Sequence, residues 1–250
     1  MATSKENEKK ITEEVSNTIE TFFYDKKLRY PFENSFTVLE ELGCLIYGAP
    51  LESDISGFYN VKAGIPCIYI NTAHSLGRQN FSAWHEFYHH ISGETSSISY
   101  IQDGKKDVVE EKADLFAGMI LMPSNLIEEQ LKKLNVYDPK YTSYDHIIKM
   151  QHYFKVSYSA IVKRLIQLYP DANLNNRFGI ANKKRSQELI EKTIALDFST
   201  ALITPTNDIY LSPTFFDDLD FNLTHGRISE EKVEEVIQKI NGKIDGDIYE

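Results

Sequence analysis

Apolar residues recur at helical spacing from the start of the chain. Ile11, Val15, Ile19, Phe22 and Phe23 share one face, with Pro31 beyond them, and this predicts an amphipathic N-terminal helix. A short helix, SFTVLEELG, ends at Gly43. The pattern then changes to three strand-like runs, CLIY, SGFYNV and PCIYIN, with KAGIP reading as the turn between the last two. Helical spacing returns in GRQNFSAWHEFYHH and runs to about Ser92, with Gly93 as the stop. SGETSSISYIQDGKKD is polar throughout and reads as a loop. A helix from about Val108 to Met122 follows, and Pro123 opens another, PSNLIEEQLKKL. TSYDHIIKMQHYF and SYSAIVKRLIQLYP predict two more helices joined by KV, and PDANLNNRFGIANKKRS a polar connector. The C-terminal stretch predicts a short helix, a strand-like TALITP, and a last helix, SEEKVEEVIQKIN, whose early glutamates suit the helix dipole. The class expected is α+β, a small antiparallel or mixed sheet with a predominantly helical remainder.

Composition narrows the functional classes. Hydrophobic residues make up 42% of the 250 positions and charged residues 26%, enough apolar material for a core. The net charge of -10 argues against a broad nucleic-acid surface. No apolar run approaches a membrane span, and the polar opening MATSKENEKK leads to no leader being expected. Cys44 and Cys67 lie in apolar runs, so reduced core thiols and a cytoplasmic location are expected. Two cysteines are too few for a structural zinc site built on thiolates.

The chemistry concentrates in HEFYH. His85 and His89 are four apart on a helix, one turn above the other, and can present two imidazoles to one ion. Glu86 lies about 100° further round, which suits a base acting on water better than a third ligand. This is the zincin pattern H-E-x-x-H. His90 fits the ligand face poorly. Phe81, Trp84, Tyr88 and Ile91 form a separate apolar face, expected to bury against the strands. A third ligand is sought in VVEEKADLFAGMILMP. Glu110 and Asp114 are four apart, with Ala113 and Ala117 beside them, so a small-residue face can approach the histidine helix closely. Glu110 is the preferred ligand and Glu111 its rival. Asp114 is placed to accept a hydrogen bond from the second nitrogen of a ligand imidazole.

Taken in order, PCIYIN, GRQNFSAWHEFYHH, EEKADLFAGMILMP and FKVSYSAIVKRLIQL resemble the ImmA/IrrE family of zinc metallopeptidases. The resemblance spans roughly residues 36–170. It divides the chain into an N-terminal helix and linker (1–35), a zincin-like domain with a thermolysin-type minimal core (36–170) and a C-terminal appendage (171–250). It implies bound zinc on His85, His89 and Glu110, with Glu86 catalytic. Two positions depart from the pattern: the family usually has small residues just before each ligand histidine, and Trp84 and Tyr88 stand there. The family's members often cleave a helix-turn-helix repressor, so a protein substrate of that kind is expected, with neither membrane nor direct nucleic acid as partner.

On this reading Glu86 accepts the proton of the attacking water and passes it to the leaving amine. CIYIN, which enters the catalytic helix, is the expected sheet edge for an extended substrate. Tyr158, His146, His152 and Tyr100 are the candidate donors to the oxyanion or substrate, and each can equally serve structure. Two alternatives stand beside it. One is a catalytically silent zinc module that grips a regulator. The other is a DNA-binding protein built on DHIIKMQHYFKVSYSAIVKRLIQL, with Lys149, Lys155, Lys163 and Arg164 as its cations.

Overall fold

The computed structural model describes residues 4–52, 54–93, 96–100 and 108–244. The N-terminal periodicity forms α1 (Ser4–Phe23), and SFTVLEE forms α2 (Ser35–Glu41), capped by the Asn34 side chain, which accepts from the amides of Phe36 and Thr37. The three apolar runs form β1 (Leu45–Ala49), β2 (Ile55–Lys62) and β3 (Ile65–Asn71). β2 and β3 make a hairpin through Ala63 and Gly64, both at positive φ (51° and 83°), as a two-residue turn requires. α3 (Leu76–Ile91) carries the histidines and ends before Gly93, which sits at φ 87°. β4 (Ser96–Tyr100) follows, then α4 (Val108–Leu121), α5 (Ser124–Lys133), α6 (Tyr144–Phe154) and α7 (Tyr158–Leu168). The Asn-rich connector winds into short 3-10 turns over Leu174–Ala181 that bury Leu174 and Ile180. α8 (Ser186–Ala195), β5 (Tyr210–Leu211), α9 (Pro213–Thr224) and α10 (Glu230–Ile244) complete the chain. Among the described residues no helix is long and apolar enough to cross a membrane.

The five strands form one mixed sheet in the order β4-β2-β3-β1-β5, with only β1 and β3 parallel. Two expectations are corrected by this order. CIYIN is not an edge: β3 is flanked by β1 and β2 and is interior. Its Ile68 and Ile70 are buried, as an interior strand under a helix requires. The edge on the β2 side is β4, which lies inside the stretch expected to be a loop. The four-residue alternation Ser-Ile-Ser-Tyr is too short and polar to stand out, and β4 is defined by its antiparallel pairing with β2. TALITP is also not a strand. It turns back on itself, with Thr200 accepting from the amides of Ile203 and Thr204, and the sheet is extended instead by the two residues of β5.

The C-terminal segment divides by its contacts. Residues up to Ser212 are bonded to the body: Leu76 donates to Ala201, Thr206 and Asn207 donate to Thr72, and Ser212 exchanges bonds with Ile46. By contrast no residue of α9 is buried. One face of the α6–α7 pair is core. Ile147, Ile148, Ile161 and Leu165 are fully buried, and Arg164 is buried with Nε donating to the Met122 carbonyl.

Packing explains the aromatic face of α3. Trp84 and Tyr88 do not bury against the strands. Trp84 stacks on Phe32 at 5.1 Å and meets Phe23, Phe87 and Phe116, while Tyr88 meets Phe116 at 5.4 Å. Their partners belong to α1, the linker around Tyr30–Phe32, α3 itself and α4. α1 is held over α4 by the 2.7 Å ion pair of Glu14 with Lys112. The start of α3 sits directly on the α6–α7 turn, where a Cβ on Gly77 would come within 2.5 Å of the Ser157 nitrogen.

Two outcomes are expected. Trp84→Ala loses about 3–5 kcal/mol of stability, measured by urea denaturation, because a fully buried indole leaves a cavity among four rings. His152 stacks on Phe198 at 4.2 Å, and burial, with the charge of Lys155, pushes it from 6.5 down to about 4. The unfolded chain therefore binds the extra proton first, and stability falls as pH drops from about 6.5 to 4. The melting temperature of His152→Phe should fall less over that window than that of the wild type.

Candidate metal centre

α3 and α4 meet at a cluster of three donors. His85 Nε2 lies 3.2 Å from Glu110 Oε2, His89 Nε2 lies 3.3 Å from Glu110 Oε1, and the two Nε2 atoms are 3.4 Å apart. Local sequence explains each placement. The four-residue spacing stacks the imidazoles on one side of α3. Glu110 occupies the first turn of α4, where the helix dipole favours a carboxylate. Ala113 and Ala117, both fully buried, let the two helices approach. The rival Glu111 is exposed and takes no part.

Asp114, one turn after Glu110, accepts a 2.9 Å hydrogen bond from His85 Nδ1. That bond directs Nε2 of His85 toward the cluster. Burial alone would depress His85, but the bonds to Asp114 and Glu110 and the charge of Glu86 outweigh it and hold the imidazole up at about 9. Glu110 is held far below the ordinary carboxylate range by its bonds with His85 and then His89. A positive charge is thus strongly favoured at the centre of the triangle.

The donor set fits a small tetrahedral cation. Three ligands at about 2.0–2.1 Å from such an ion stand about 3.3–3.4 Å apart, which matches the 3.4 Å between the two Nε2 atoms, with one oxygen of Glu110 near each of them. Two nitrogens and one carboxylate oxygen also suit a borderline-soft divalent metal. Among the described residues, His85, His89 and Glu110 are the group able to hold an ion.

Glu86 is fully buried on the sheet side of α3. It faces Gly57 of β2, where a Cβ would lie 3.4 Å from Glu86 Cγ and 2.8 Å from the Tyr69 carbonyl oxygen. Gly57 was not singled out from the sequence, although a glycine inside the strand SGFYNV is a signal of close backbone approach. His90 also turns to the sheet, sharing a 2.9 Å hydrogen bond with the Tyr59 hydroxyl. Trp84 and Tyr88 lie in the core, packed against Phe32 and Phe116, and the Tyr88 ring also meets the edge of His89 at 6.3 Å.

Three of the proposed oxyanion donors are engaged elsewhere. The Tyr158 hydroxyl donates to the Arg177 carbonyl at 3.1 Å. His146 closes the capping box of α6 with Ser143, and His152 is stacked on Phe198. Tyr100 pairs through its backbone with Ile55, and its side chain lies outside the described residues.

The wild type should retain about one divalent metal per chain after dialysis, and His85→Ala none, as read by elemental analysis. Asp114→Asn should keep the site but weaken metal affinity about 10–100-fold in chelator competition, because it changes only the partner that orients the imidazole.

Comparison with curated proteins gives no match to an individual sequence. The model of the IrrE N-terminal-like domain, which describes a family of peptidases, matches residues 31–166, more than half of the chain. That match spans β1 to β4, α3 and α4, and so contains every donor of the cluster. The chain belongs to the IrrE N-terminal-like peptidase family.

Proposed function

We propose that the protein is a zinc-dependent endopeptidase with a zincin-like core of the thermolysin type, and that its substrate is a helix-turn-helix transcriptional repressor. The observation that carries the reading is the triangle of His85, His89 and Glu110 with the buried Glu86 on the next position of the same helix. A bound zinc supplies Lewis acidity, polarising a peptide carbonyl and making water a better nucleophile near neutral pH. His85, His89 and Glu110 hold the ion, and Asp114 fixes the tautomer of His85. Glu86 takes the proton of the attacking water and delivers it to the departing amine nitrogen. Its Cγ packs against Gly57 of β2, and the residue is closed off from solvent. An extended substrate adds antiparallel to β4, which among the described residues is paired on one side only. A silent binding module was favoured only by crowding from Trp84 and Tyr88, and both are core residues.

The test is incubation of the zinc-loaded wild type and of Glu86→Gln with the helix-turn-helix regulator encoded nearby. Glu86→Gln should keep its full metal content while cleavage falls about 10²–10⁴-fold. Undiminished cleavage by that variant would refute the role of Glu86. A wild type that binds the regulator without cutting it would refute the peptidase.

A further inference from the structure

Arg78 is the only lysine or arginine of α3. Counting by fours and threes, Arg78, Ser82, His85 and His89 share one face of that helix. Arg78 therefore lies on the ligand face, about 10 Å along the axis from His85. Its guanidinium donates at 2.9 Å to the Ser56 hydroxyl. Ser56 is buried and falls where the pairing of β2 with the edge strand β4 slips, between Ile55 and Gly57. The next residue, Gly57, is the one packed against Glu86. Two consecutive residues of β2 thus connect Arg78 to the proposed base, beside the sheet edge on which a substrate would lie.

The charge of Arg78 is uncompensated. The side chain is half-buried, and burial lowers its pKa with no carboxylate acting against that shift. Among the described residues Ser56 is its one hydrogen-bond partner, and it makes no ion pair. Asp54 acts on neighbouring His74 but does not pair with Arg78. His74 adds no second charge, because burial and Arg78 itself push it below its ordinary value. A desolvated guanidinium with four of its five N–H groups uncommitted is a ready partner for a carboxylate.

We infer that Arg78 forms a subsite for a carboxylate of the bound peptide, an aspartate or glutamate side chain about three extended residues from the scissile bond. This rests on the peptidase reading and adds to it a substrate class, peptides acidic at one position. The chain's net charge of -10 repels acidic peptides at long range, so the selection is made at contact.

The experiment measures binding rather than cleavage. The zinc-loaded Glu86→Gln chain is immobilised and exposed to randomised synthetic decapeptides, one set amidated at the C-terminus and one with a free carboxylate. Retained sequences are read by mass spectrometry. The amidated set should return peptides enriched in Asp and Glu. Adding Arg78→Gln should lower that enrichment about tenfold or more, the loss of a charge-assisted contact. Arg78→Lys should retain part of it, and Arg78→Glu should turn the preference toward Lys and Arg. Retention of the free-carboxylate set alone, lost in Arg78→Gln, would assign the same chemistry to a terminal carboxylate. Metal content and melting temperature identify a variant that has merely unfolded. No acid enrichment in the parent, or enrichment unchanged in Arg78→Gln or Arg78→Glu, overturns the inference. Acid selection without cleavage by the wild type would leave the subsite and remove the peptidase, and cleavage without acid selection would do the reverse.

Discussion

Two imidazole nitrogens 3.4 Å apart, each within 3.3 Å of the same carboxylate, gather three donors at one buried point, and the rest of the structure depends on that convergence. His85 gives its Nδ1 proton to Asp114, which leaves the Nε2 lone pair able to take a second proton shared with Glu110 or to face a cation. A protonated pair would place like charges side by side in a buried site, whereas one divalent ion satisfies all three donors together. The surrounding structure answers to that requirement. α3 and α4 must approach closely, hence Ala113 and Ala117 at the contact. Glu86 must sit between α3 and the sheet, hence Gly57. α4 must hold its orientation, which the Glu14–Lys112 pair and the Trp84 ring cluster provide from the far side.

The site was legible because it is written in local periodicity. Ligands four apart on one helix, and a carboxylate pair four apart on another, are a face as soon as the helix is recognised. Small residues beside acidic ones in α4 also announce which face meets a neighbour. The sheet was less legible because strand order is a property of distant pairs. CIYIN leads straight into the histidine helix, which gave it the look of an edge, yet β1 and β2 cover both its sides. The true edge, Ser96–Tyr100, has three serines where a buried strand would show Val or Ile. Conversely TALITP is apolar enough for a strand, but its backbone is spent on a turn, and only Tyr210 and Leu211 join β1.

Arginines show the same limit in another form. Arg164 looked like part of a basic surface, but its guanidinium is buried to satisfy the Met122 carbonyl at the end of α4. Arg78 stood in the histidine segment without an assigned role, because nothing in its neighbours along the chain marks it. Its meaning comes from Ser56, twenty-two positions earlier, brought to it by the irregular pairing of β2 and β4. In both cases the partner of the charge, rather than the charge, decides what the residue does.

Charge along the ligand face of α3 is therefore polarised. At one end Glu86, Glu110 and Asp114 crowd around two imidazoles, and a divalent cation leaves that end with one net negative charge when the imidazoles are neutral and the three acids ionised. At the other end stands the Arg78 guanidinium, half-buried and without an ion pair among the described residues. A peptide lying along this face meets opposite fields at its two ends. Reversing the peptide about its scissile bond would carry its acidic side chain past the carboxylates to the far side of the metal, away from Arg78. On the proposed subsite, the orientation of a bound peptide follows from the same arrangement that would hold the metal, since a divalent cation would offset only part of the acid around it.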